Sequence, residues 1–168
     1  PATFVDGRVM SFVHETGIGA VDVLYQWDDL KVGTYLLQSA THPAKQVQMG
    51  LFAAVVKDAG DGEAYPGVPV DAQRLLVFHD VDPEIQLAIQ AGDYGTPGAS
   101  IPSSVYRKAR YFLINGQSFP DTGLDPVALG QTVLLRFVNA GLETHVPQIL
   151  GAYLTQVAQD GTPLQYYR

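Results

Sequence analysis

The chain has no cysteine among its 168 residues. That absence excludes disulfides, Cys-ligated zinc, iron–sulfur clusters and a thiol nucleophile. It also excludes a blue-copper centre, which depends on a copper–thiolate bond. Basic residues are scarce, with 10 Lys and Arg against 17 Asp and Glu and a formal charge of −7. Binding a phosphate backbone needs clustered Lys and Arg, so nucleic acid is not an expected partner. No run approaches the ~20 apolar residues of a membrane span, and the N-terminus shows no signal-peptide pattern. There is no Gly-x-Ser-x-Gly elbow and no Gly-rich loop followed by Lys-Ser or Lys-Thr, so the nucleophile-elbow and P-loop chemistries lack their signatures.

What is present is a hydrophobic fraction of 46%, typical of a chain that buries a core. Short β-branched or aromatic runs alternate with Gly, Pro, Asn and Asp. They predict strands over 21–27, 33–39, 50–57, 74–81, 111–114, 131–139 and 152–159, a spacing that suits an all-β sandwich or barrel. In 131–139 both faces are apolar except for Arg136, which fits a central strand with one side chain reaching solvent or a carboxylate. One helix is predicted over 83–90, with Asp82 as N-cap, Pro83 first, and Ile85, Ala88 and Ile89 on one face. Residues 59–71 and 92–104 are rich in Gly and Pro and read as loops. Asn115-Gly116 and Asp160-Gly161 read as tight turns.

Four segments carry a family likeness. Residues 33–58 read Gly-Thr-Tyr-Leu-Leu-Gln-Ser-Ala-Thr-His, then a short connection with Gln46, then Gly-Leu and an apolar strand. Residues 111–116 read Tyr-Phe-Leu-Ile-Asn-Gly, 130–141 hold Leu-Arg-Phe-Val-Asn-Ala-Gly, and 150–161 end in Asp-Gly. In this order they resemble the multicopper oxidases, spanning the end of a first cupredoxin domain and the start of a second. The resemblance implies an all-β, cupredoxin-like Greek-key sandwich or barrel with little helix. It divides the chain into 1–58, closing a first domain, a linker at 59–70, and 71–168, opening a second. It also implies an extracytoplasmic location and a larger parent, since Pro1 is not a natural start. Copper is the cofactor of the family, and the parent or assembly would be a copper-dependent oxidoreductase that uses oxygen.

The likeness breaks where copper would bind. The family has His-x-His where this chain has Gln38 and Ala40. Ala has no donor, and an amide oxygen is a poor copper ligand beside imidazole. His42, just beyond, is the candidate metal ligand, against the plainer reading of a loop His beside Pro43. His79, before Asp80 and near Asp82, reads either as a hydrogen-bonded pair or as the edge of a weak divalent-metal site. His145 reads as a loop residue contacting a carboxylate or a neighbouring domain, and His14 as an exposed loop residue. Two functions follow: part of a copper oxidase whose isolated chain is inactive, or a non-catalytic cupredoxin-like scaffold or binding module. Either predicts association with further copies or with the rest of a parent protein, or two halves that cover each other. The apolar strands 50–57 and 131–139 should then be buried.

Overall fold

The computed structural model describes residues 3–11, 17, 19 and 24–166, with the backbone alone at 3–5 and 8–11. It opens on a small hairpin, β1 (Thr3–Val5) and β2 (Arg8–Ser11). A second hairpin joins β3 (Gly33–Gln38) to β4 (Phe52–Lys57) across a single helical turn, α1 (Pro43–Gln46). A third pairs β5 (Glu63–Tyr65) with β6 (Val68–Pro69). The ten-residue β7 (Ala72–Val81) leads into α2 (Pro83–Gln90). After a 3-10 turn at Ser104–Tyr106 come β8 (Tyr111–Ile114), β9 (Gln117–Ser118) and β10 (Val133–Asn139). A short ribbon, β11 (Ala158–Gln159) with β12 (Thr162–Pro163), follows.

Strand is the main regular structure and helix is minor, as the alternating pattern implied. The strands form several small sheets, and no closed barrel is present among the described residues. The largest sheet runs β10-β7-β8-β9. This is the spatial order of a Greek key, with the fourth strand returning beside the first. In an all-antiparallel Greek key that outer pair would be antiparallel, but β10 runs parallel to β7, from Val133↔Ala72 to Asn139↔Phe78. A parallel neighbour needs a long return path, and residues 119–132 supply it.

Several turns obey local chemistry. Asn115-Gly116 and Asp160-Gly161 both take positive φ, at 52° and 79° and at 50° and 74°, the backbone that suits a two-residue hairpin. Helix α2 begins where Asp82 accepts hydrogen bonds from the Glu84 and Ile85 amides. It buries Ile85 and Ala88 against Tyr94 and Ile101, so the Gly- and Pro-rich stretch 92–104 contributes two core residues.

Three sequence expectations differ from the structure. Residues 59–70, read as a linker, hold the β5–β6 hairpin, and Ala64 and Tyr65 are among the most buried residues. Of 152–159, only the last two residues form a strand, because the preceding six find no ladder partner. Of 21–27, residues 21–23 lie outside the described part, and 24–27 lack regular structure with Leu24 and Trp27 exposed. Burial of the two apolar strands is also incomplete. Arg136 and Val138 of β10 are buried, but Phe137 is exposed, as are Ala53 and Val56 of β4.

Candidate functional site

The β3–β4 hairpin lies over one face of the β10-β7 sheet, and Arg136 stands between them. In the parallel register Arg136 sits beside Leu75, so it shares a face with Gln73 and points toward the hairpin. The residue is only 4% exposed, a position that requires its charge to be paired. Nε donates to Gln73 Oε1 at 2.8 Å, and Nη1 to Thr34 Oγ1 at 2.6 Å and to the Tyr65 hydroxyl at 3.2 Å. Nη2 meets Asp58 Oδ1 at 2.5 Å. Gln73 Nε2 closes the circuit on Asp58 Oδ2 at 3.0 Å, and the Tyr65 ring centre lies 5.1 Å from the guanidinium carbon.

The four partners come from β3, the end of β4, β5 and β7. One cation therefore ties the hairpin, the 59–70 segment and the main sheet together. Its planar fork suits this role, offering rigidly placed donors that an ammonium group lacks. Four of its five N–H donors are engaged within the chain, so the cluster acts as a clamp between segments. The carboxylate foreseen for Arg136 is Asp58; the neutral partners carried no sequence signal, since Thr34 and Tyr65 lie 102 and 71 residues away. Beside the clamp runs an open groove of about 780 Å³, walled by β10, residues 34–36 and residues 153–161.

The positions singled out for metal chemistry do not converge. Gln38 ends β3 and is exposed, Ala40 is exposed in the connection, and His42 is exposed at the start of α1, where its side chain caps no amide. Nearby, the Ser39 hydroxyl donates to Gln46 Oε1, so the Gln of this connection serves the loop. His14 lies outside the described residues. Among the described residues no three His, Cys, Asp or Glu side chains come together in a way that could hold a metal ion. Copper with imidazole ligands needs several converging nitrogens, and the donor set around His42 does not fit one.

The other histidines take structural places. His79 is buried and its ring lies 4.7 Å from that of Phe52, tilted by 49°. Burial lowers its pKa below the usual value, opposed by the nearby Asp80 charge and a hydrogen bond with the Ala140 backbone. Its Nδ1 is buried without a partner. The acids near it have other tasks: Asp80 Oδ1 accepts from the Leu142 and Glu143 amides, and Asp82 caps α2. A His79–Asp80 hydrogen-bonded pair is therefore not formed. Gly141 permits this approach, because a Cβ there would overlap the Asp80 carboxylate. His145 stacks on Phe78 at 4.7 Å, while the neighbouring Glu143 carboxylate pairs with Arg107 at 3.0 Å. Asn139 closes β10, accepting from the Gly141 amide and donating to the Glu143 carbonyl.

In comparisons with known proteins, no family model, no curated protein and no solved structure matches this chain.

Proposed function

We propose that this chain is a cupredoxin-like module of the multicopper-oxidase type that serves as a non-catalytic scaffold within a copper-dependent, oxygen-using assembly. The observation that carries this reading is a contrast within the chain. Three of the four family-like segments hold strands, at 33–38 and 52–57, 111–114 and 133–139, while 150–161 holds only the two-residue β11 of its expected strand; the ligand positions on the first hairpin hold Gln38 and Ala40. Scaffold residues are retained and donors are replaced. The clamped Arg136 supports the scaffold role, since it joins distant segments and engages four of its five N–H donors within the chain.

Copper titration of the purified chain tests the reading. No stoichiometric copper is expected at the end of β3 at micromolar free metal. The double substitution Gln38→His with Ala40→His places two imidazoles there and is expected to tighten copper binding by about tenfold or more, equivalent to ~1.4 kcal/mol. Tight stoichiometric binding by the unaltered chain that is lost in Gln38→Ala would overturn the non-catalytic assignment. A double variant that binds no better than the original would remove the resemblance at this strand.

A further inference from the structure

We propose that residues 152–157 are a strap that closes on the free edge of β10, adding a fifth, antiparallel strand to the main sheet. The idea does not depend on the copper reading.

The backbone pattern defines the edge. The Thr132 carbonyl accepts from the Asp71 and Ala72 amides, and the Ala140 amide donates to the Phe78 carbonyl. Every second residue of a strand addresses the same neighbour, so the even-numbered residues of β10 face β7. The N–H and C=O of Val133, Leu135, Phe137 and Asn139 point the other way, where β10 is the last strand of its sheet. Among the described residues no backbone partner meets them. They border the groove of about 780 Å³, whose far wall is the chain from Tyr153 to Gly161. An apolar edge without proline, such as Val-Leu-Leu-Arg-Phe-Val-Asn, is one that proteins cover.

The strap is held at both ends. At its start, Asp80 and Asn139 bond the backbone of 141–143. At its far end the Asp160-Gly161 turn lies against β3 so closely that a Cβ on Gly161 would overlap the Thr34 carbonyl, and a Cβ on Gly33 the Gly161 carbonyl. Phe52 lies beside His79 and Asp58 beside Gln73, so Gly33, paired with Lys57, sits at the starting end of β7 and β10. The strap therefore runs from the end of β10 back to its start, antiparallel to it. Between the anchors residues 152–156 are exposed, and from Tyr153 to Gln156 no backbone–backbone bond is made among the described residues. Residues 144–160 are more than twice as numerous as those of β10, so the strap can reach the edge with both anchors in place. Tethering gives it an effective concentration of roughly millimolar, which a strand from another chain at micromolar concentration does not match.

The ribbon that follows selects the register. The Leu164 amide donates to the Val157 carbonyl, so in a strand continued back from β11 the residues 157, 155 and 153 address the β12 side. A strand has two edges, and the even-numbered residues of the strap then address β10. Matching the whole of 152–158 to the whole of 133–139 bonds Ala152 to Asn139, Leu154 to Phe137, Gln156 to Leu135 and Ala158 to Val133. Tyr153, Thr155 and Val157 then lie opposite Val138, Arg136 and Leu134, on the side toward the β3–β4 hairpin where Arg136 and Val138 are buried. Apolar side chains meet apolar ones, and the neutral hydroxyl of Thr155 falls opposite the one charge.

The absence of cysteine permits a direct test. In the closed strap the Leu135 and Gln156 Cα atoms form a bonded pair ~5.5 Å apart, within the range that a disulfide spans. Leu135→Cys with Gln156→Cys should therefore cross-link within one chain on mild oxidation. Leu135→Cys with Thr155→Cys, whose side chains leave opposite faces of the sheet, should react at least about tenfold more slowly. Hydrogen exchange reads the unaltered chain. The Leu135 and Phe137 amides should exchange within about tenfold of the rates of Arg136 and Val138, whose amides face β7. Gln156→Pro removes a donor that faces β10, and should speed exchange at Leu135 and Phe137 at least about tenfold while leaving Arg136 and Val138 unchanged. Equal cross-linking at positions 155 and 156, cross-links between chains in place of those within one, or Leu135 and Phe137 amides that exchange as freely as in an unfolded chain would overturn the proposal.

Discussion

Removing the Arg136 guanidinium would leave Thr34, Asp58, Tyr65 and Gln73 without their shared donor. Breaking a buried ion pair from one side costs about 3–5 kcal/mol. Here Asp58 is 42% exposed at its side chain and can rehydrate, so Arg136→Met should cost about 2–4 kcal/mol, read as a lower urea midpoint. Arg136→Lys should recover only part of this, because one ammonium cannot serve four separated acceptors. An unchanged midpoint in Arg136→Met would remove the clamp from the account of stability. His79 adds a pH dependence. Its folded pKa lies below the ordinary value of about 6.5, so the unfolded chain binds the proton more readily. The stability that neutral His79 contributes is then complete above that ordinary value and is lost as pH falls from it toward the folded pKa. His79→Phe keeps a ring against Phe52 and should flatten the stability profile over that window. A profile as steep as the original would assign the slope to other groups.

Among the elements, α2 shows how much one cap can hold. Asp82 accepts from the Glu84, Ile85 and Lys108 amides at 2.9, 3.3 and 2.6 Å, fixing both the helix start and the chain entering β8. Asp82→Ala should cost about 2 kcal/mol, the upper end for a cap, because a tertiary bond is lost as well. Asp82→Asn should keep the two cap bonds at one oxygen but lose the Lys108 bond, because its amide nitrogen cannot accept, so its loss should fall clearly below that of Asp82→Ala; equal loss in the two variants would contradict a capping role. This helix was legible to the residue because Asp, Pro and an apolar face sit at the required spacing. Strand β8 was equally clear, and β3, β4, β7 and β10 were legible to within a few residues, since their β-branched runs stop at Gly, Asn or Asp. The direction of β10 was not legible: a run apolar on both faces fits parallel and antiparallel neighbours alike. The β5–β6 hairpin was hidden by its own turn residues. Gly62 and Gly67 make tight turns, and with Pro66 and Pro69 they mimic a linker while burying Tyr65. Of the clamp, Arg136 and its need for a carboxylate were legible; Thr34, Tyr65 and Gln73 were not, because no local pattern relates residues so far apart in sequence.

For the whole molecule, the buried apolar core among the described residues is small. The residues around Ile85 and Ala88 form one cluster, and many large apolar side chains remain exposed, Phe119, Leu129, Leu150 and Tyr153 among them. Covering such surface through association makes stability depend on protein concentration. The thermal midpoint should therefore rise as the concentration is raised. A midpoint independent of concentration would indicate that the exposed surface is tolerated by a monomer.

The separation of Arg136 from its partners also sets an order of events during synthesis. Thr34 and Asp58 precede Arg136 by 102 and 78 residues. At about 5–20 residues per second, the completed β3–β4 hairpin is made roughly 4–16 s before Arg136, the side chain that locks it. In that interval the hairpin has neither its clamp nor the β10 strand beneath it. The nascent chain thus presents an unlocked ribbon until Arg136 has been made.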